Sequence, residues 1–353
     1  MAGLGRICIY YKSQPKQEIS AGSRKGGGNI HQGGRYMKFE YFGTKWMTEG
    51  FTFPSLADYI ADTKERLRQP LSVPAYATAG EEERIQNFSK LTRDNPYLQR
   101  AGFAEIVRRE GEDWENLRTV PYGEYPELYG VCIFASKMLT GIQPIIFLYT
   151  AKNPGMLYNA CALDYQDRVW LYISDQLFKE HGMLKTEELC YLVGHELGHA
   201  QCHHTTIRST TSYGSDKEYS ADRAGMIVCA KWMLTHIPGC QPEYAARQAA
   251  LYGTATLLKL ETAAVNGPGK TDWRTAMDYE KLQRDMDGVF NGAAKLSVST
   301  GSHPHTRHRV MAMINFSQSQ MLYRCLDLDP GEYPGLCSDE HLQRMMAYQL
   351  TNQ

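Results

Sequence analysis

Residues 190–204 read CYLVGHELGHAQCHH and place four of the chain's eleven histidines within ten positions, on a frame of apolar and small residues at helical spacing. Just upstream, Thr186 is a candidate N-cap, and Glu187 and Glu188 stand where carboxylates favour a helix N-terminus. The pattern predicts a helix of about five turns over 186–204. Inside it, His195, Glu196 and His199 form H-E-x-x-H. Helical positions four apart lie about 40° apart around the axis, so both imidazoles can aim at one ion while Glu196 points beside it. Zinc suits that pair, and a catalytic zinc keeps one position for a water whose proton Glu196 can take.

Two histidines a turn apart also occur on solvated faces, so the next helix carries the argument. After a polar break at 205–216, DKEYSADRAGMIVCAKWMLT predicts a second helix, which Pro238 and Gly239 end. Glu218 offers a carboxylate as third ligand. Asp222, one turn later on the same face, can accept the outer N–H of a ligand histidine. Ala221, Ala224, Gly225, Ile227 and Val228 surround these acids, as expected of a packed helix whose acids face something rather than water.

The whole chain supports an enzyme of ordinary composition. It has 353 residues, 42% of them hydrophobic and 22% charged, enough to bury a large core. A formal net charge of −1 argues against a general nucleic-acid or membrane-surface role. The nine cysteines are scattered without C-x-x-C pairs and read as reduced thiols. The start turns polar too soon for a secretory signal, and no stretch holds 18 uninterrupted apolar residues, so the expectation is a cytoplasmic protein with no membrane span.

Residues 1–36 read as a flexible Gly-rich basic arm, 37–122 as a helical N-terminal region, 123–326 as the metal-bearing domain and 327–353 as a tail with a short helix. Helices are expected at 55–68, 81–92, 96–110, 125–139, 243–264 and 273–296. PIIFLYTA (144–151) and DRVWLYIS (167–174) have strand composition and read as partners. LYNACAL (157–163) lies between them as a candidate sheet edge, where Asn159 and Ala160 could receive an extended peptide as a further strand. The class is α+β, mainly helical, with a small β-sheet and two metal-bearing helices.

VGHELGHAQCHH, EYSADRAG and SHPHTRHR (302–309), in that order, resemble the three blocks of the HtpX and CAAX-prenyl-protease group of gluzincin metallopeptidases, over about Tyr125 to Leu326. The resemblance implies a zincin-like core and a zinc-dependent endopeptidase acting on a peptide or protein. It also implies Zn2+ on His195, His199 and Glu218, Glu196 as general base, and Asp222 behind a ligand histidine. His303, before Pro304, resembles the histidine that reaches over the metal to stabilise the oxyanion, and Arg309 the arginine that ties this block to the acidic helix. Membrane members carry hydrophobic spans around these blocks, whereas here a short polar connection joins the two metal helices; the chain resembles the soluble minority, and a prenylated substrate does not follow. His203 and His204 read as polar residues where a helix meets its loop, His305 and His308 as surface residues or substrate-side contacts, and Cys190 and Cys202 as buried or inert thiols. A rival reading keeps the zinc without turnover: a latent or idle regulatory module whose enlarged N-terminal region fills the cleft. Either reading leaves room for an activating or inhibiting protein partner.

Overall fold

The structure, a computed structural model, describes residues 73–83, 85, 114–120, 123–141, 144–152, 159–165, 168–179, 183–204, 215–266, 277–290, 306–329, 331–335, 338 and 340, with two short strands, β1 (Glu40–Tyr41) and β2 (Thr44–Lys45). The basic arm 1–36, the helices expected at 55–68 and 96–110, and His303 lie outside these residues.

One mixed sheet holds β3 (Trp114–Thr119), β4 (Ile145–Ala151), β5 (Ala160–Tyr165) and β6 (Arg168–Ser174) in the order β3-β4-β6-β5. The strands read as partners, β4 and β6, do pair, and they run parallel; β5 then turns back antiparallel to β6 and forms the outer edge. Side chains of β4 alternate. Ile146 and Leu148 enter the main core, while Phe147 and Tyr149 join Trp114, Trp170 and Tyr172 in an aromatic cluster on the opposite face. Both faces are covered, and so the strand reads as one apolar run. The other edge, β3, departs from the reading of 37–122 as a helical region. WENLRT has no β-branched run, and its register shifts between Glu115 and Arg118, with Asn116 at φ 52°. Pairing to β4, not local propensity, makes it a strand.

The helices are α1 (Pro126–Met138), α2 (Gln176–Lys179), α3 (Thr186–Gln201), α4 (Ser215–His236), α5 (Pro242–Asn266), α6 (Tyr279–Phe290), α7 (Thr306–Ser317) and α8 (Gln320–Cys325). Helix α3 caps one residue earlier than expected: Lys185 is the N-cap and donates its backbone N–H to Glu188 Oε2 at 2.7 Å. Glu188 is itself fully buried, where it also receives Lys259 Nζ at 2.7 Å and Tyr279 Oη at 2.6 Å.

Helices α3 and α4 approach closely because the residues between them are small. A Cβ on Gly194 would stand 2.9 Å from Gly225 Cα, and one on Gly198 would stand 2.5 Å from Ala224 Cβ. This close approach sets the distance between the histidines of α3 and the acids of α4. Residues 73–83 and Ile85 dock against the same pair of helices. Tyr76 Oη donates to Gln201 Oε1 (2.6 Å), the Thr78 N–H to Ser220 Oγ (3.2 Å), and Arg223 Nη1 to the Tyr76 carbonyl (2.9 Å). Tyr76 and Ile85 thereby enter the main core. Among the described residues, no helix is long and apolar enough to cross a membrane, and the seven described cysteines form no disulfide.

Candidate metal centre

One turn of α3 separates His195 from His199, and their Nε2 atoms converge to 3.1 Å. Glu218, near the start of α4, brings Oε2 to 3.6 Å from His195 Nε2 and Oε1 to 3.7 Å from His199 Nε2. Three ligands at a zinc–donor distance of about 2.05 Å in tetrahedral array stand about 3.3 Å from one another. The observed separations bracket that value, so these donors fit a zinc ion without rearrangement of either helix. Three protein donors leave one position of a tetrahedral ion to be filled from elsewhere.

Charges around the triangle prepare it. Desolvation of the half-buried Glu218 works against ionisation, yet Arg309 and the two histidines outweigh it and bring its carboxyl down to about 2. Burial holds the His199 imidazole well below its ordinary value, so it is neutral and able to donate a lone pair at neutral pH. For His195 burial also opposes protonation, but Asp222 prevails and the net shift is upward. Asp222 Oδ1 lies 3.0 Å from His195 Nδ1, an ion-pair contact poorly aligned for a straight hydrogen bond. Asp222 is fixed in turn: Arg309 Nε donates to Oδ2 at 2.9 Å, Arg309 Nη2 to Oδ1 at 2.5 Å, and Tyr191 Oη to Oδ1 at 2.6 Å. With Arg309 Nη1 3.1 Å from Glu218 Oε2, one guanidinium from α7 holds both acids of α4.

Glu196 turns from α3 towards the sheet. Its buried carboxyl is pushed up to about 7, chiefly by desolvation, and it accepts a hydrogen bond from the Ala162 backbone on β5. A carboxylate near 7 is matched to taking and returning a proton at neutral pH. The β5 register explains the contact. The Ser174 N–H donates to the Asn159 carbonyl at 2.9 Å, so in this antiparallel pair the odd-numbered residues bond β6, and Ala160, Ala162 and Asp164 turn their backbone groups to the open edge. Asn159 therefore spends its carbonyl inside the sheet, and its Oδ1 accepts the Ala160 N–H at 2.8 Å.

The structure thus brings together His195, His199, Glu218, Glu196, Asp222 and Arg309, with Ala160 at the start of the neighbouring strand β5 and Asn159 just before it; His303 is outside the described residues. Two participants escaped the sequence reading. Tyr191 sits one turn before His195 on the same helix, a spacing that could have flagged it. His204 does follow the end of its helix, in the turn after Gln201, but it is not a solvated residue there: it is 8% exposed, its Nδ1 meets His199 Nδ1, and its Nε2 lies 2.7 Å from Glu81 Oε2. Nothing local to the sequence marks Glu81, 123 positions away from His204. Comparison of the chain with known protein families finds no match, and comparison with curated proteins finds none either.

Proposed function

We propose that the chain is a soluble, cytoplasmic zinc-dependent metalloendopeptidase with a zincin-like core, similar to the HtpX and CAAX-prenyl-protease group. One observation carries the reading: Nε2 of His195, Nε2 of His199 and the Glu218 carboxylate lie 3.1–3.7 Å apart, with a buried carboxyl near pH 7 on the same helix. The described cysteines form no disulfide with one another, which suits a reducing compartment.

His195, His199 and Glu218 would hold the zinc, which when bound supplies Lewis acidity and lowers the pKa of water. Glu196 takes a proton from the attacking water and returns it to the leaving amine, while the Ala162 N–H fixes its carboxyl in place. The backbone carbonyls of Ala160 and Ala162 at the open edge of β5, whose N–H groups are already taken by Asn159 Oδ1 and Glu196, accept from an extended peptide laid beside the strand, so the scissile carbonyl is oriented before chemistry begins. His303 is the proposed donor to the developing oxyanion.

An unbiased peptide library presented to the zinc-loaded chain and to Glu196→Gln tests the proposal. The wild type is expected to cleave and the variant to keep its zinc and lose turnover. Silence from both, with zinc verified in each, refutes the peptidase and leaves a regulatory module.

A further inference from the structure

His195 Nδ1 faces an acid, Asp222, at 3.0 Å; among the described residues, His199 Nδ1 meets not a carboxylate but another imidazole, that of His204. We propose that His204 and Glu81 are a positioning pair for His199, a relay that fixes its proton on Nδ1 and leaves Nε2 bare toward the metal. The inference rests on the metal centre proposed above.

Hydrogen-bond accounting carries it. Two imidazole nitrogens in contact require one donor and one acceptor. The Glu81 carboxylate, with its side chain 2% exposed, lies 2.7 Å from His204 Nε2 and accepts, which places a proton on that nitrogen. A neutral ring that donates from Nε2 has its acceptor at Nδ1, and the relay assigns that role to His204, whose Nδ1 meets His199 Nδ1. Neutral His199 in turn carries its proton on Nδ1, and its lone pair is on Nε2, the atom that lies 3.1 Å from His195 Nε2 and 3.7 Å from Glu218. Ligand histidines generally require such a partner on the second ring nitrogen.

The backbone is built for the contact. His203 adopts φ 56°, rare for a residue with a Cβ, and the His204 N–H donates to the His199 carbonyl at 2.9 Å. This left-handed turn folds His204 back under its own helix rather than out into the connection. Glu81 is placed with equal care: its N–H donates to Thr78 Oγ1 at 3.2 Å, and Thr78 is itself tied to Ser220 on α4. Residues 73–83 and Ile85 are thereby part of the metal centre although they lie more than a hundred positions before it.

Glu81, His204 and Cys202 also bring ligand atoms within 4.8 Å of one another, the arrangement of a second metal site. The proton chain favours the relay. A metal on His204 Nε2 would displace that proton to Nδ1, force His199 to accept there, and leave the His199 proton on Nε2, where it blocks ligation. The two uses of His204 exclude each other.

The test uses the full chain labelled with nitrogen-15 histidine. In the metal-free protein, two-bond proton–nitrogen correlation should find His199 protonated on Nδ1 and His204 on Nε2. His204→Leu should lose that preference and weaken zinc binding about 10- to 100-fold. His204→Asn, whose Oδ1 reproduces an acceptor at the Nδ1 position, should restore most of both, which a merely structural role would not predict. His199 protonated on Nε2 in the wild type overturns the relay, and so does Asn failing where Leu fails; if His204→Leu does not fold, the wild-type tautomer alone decides. A cobalt-loaded chain showing a thiolate charge-transfer band that Cys202→Ser abolishes would assign the cluster to metal binding and overturn it as well. A wild type that binds no zinc sinks the metal centre and the relay together, whereas zinc bound with the wrong tautomer sinks the relay alone.

Discussion

Gly198→Ala adds one methyl group where α3 and α4 cross. Its Cβ would lie 2.5 Å from Ala224 Cβ and 3.2 Å from Ala221 Cα, against an ordinary carbon–carbon contact of about 3.5–4.0 Å. Neither neighbour is the flexible end of a long side chain, so the helices must part by about 1 Å at this level. Alanine itself favours the helix by about 1 kcal/mol over glycine. Overpacking of a tight interface costs about 1–3 kcal/mol, and contact with both backbone and Cβ places this site at the upper end. The net loss is about 2 kcal/mol, or about 4–8 °C in Tm. The proposed metal centre is more sensitive still. Glu218 is on α4 and both histidines are on α3, and zinc tolerates about 0.2 Å in its ligand distances, so affinity should fall at least about tenfold. Thermal unfolding and zinc competition against a chromogenic chelator read the two effects. Gly130→Ala on α1 is the control, since a Cβ there meets nothing within 4 Å and should only add helix propensity. If Gly198→Ala matches that control in Tm and binds zinc like the wild type, the close approach of α3 and α4 does not set the site.

Removal of the buried ammonium in Lys259→Met should destabilise by about 3–5 kcal/mol, because Glu188 would remain charged at the start of α3. Urea unfolding measures it, and the double variant Lys259→Met/Glu188→Gln should recover part of the loss; a single variant as stable as wild type would refute the argument. The metal-free chain should also lose stability in acid. Glu218 falls from an ordinary 4.5 to about 2 in the fold, so its contribution, about 3 kcal/mol, is full above about pH 4.5 and disappears as pH drops through about 2. Unfolding midpoints at a series of pH values should show that decline, and Arg309→Met should flatten it; equal slopes would remove Arg309 as its cause.

Local sequence was enough for the metal helices. Fixed helical geometry turns H-E-x-x-H into two convergent imidazoles, and it puts Glu218 and Asp222 on one face of the following helix. Both apolar strands were also legible, because burial on two faces leaves an unbroken hydrophobic run. β3 was not, since WENLRT owes its conformation to a partner 30 residues away and carries no period of its own. The parallel pairing of β4 with β6 was likewise invisible, as composition does not encode strand direction.

The sequence by itself determined which residues could bind a metal and on which helical face they stand, since those properties depend on neighbours within a turn. Only the tertiary structure decided how far α3 stands from α4, that Ala162 at the edge of β5 holds Glu196, and that His204 and Glu81 close on His199. These depend on volumes and hydrogen-bond partners brought together from distant segments, and no local periodicity records a contact between residues 81 and 204.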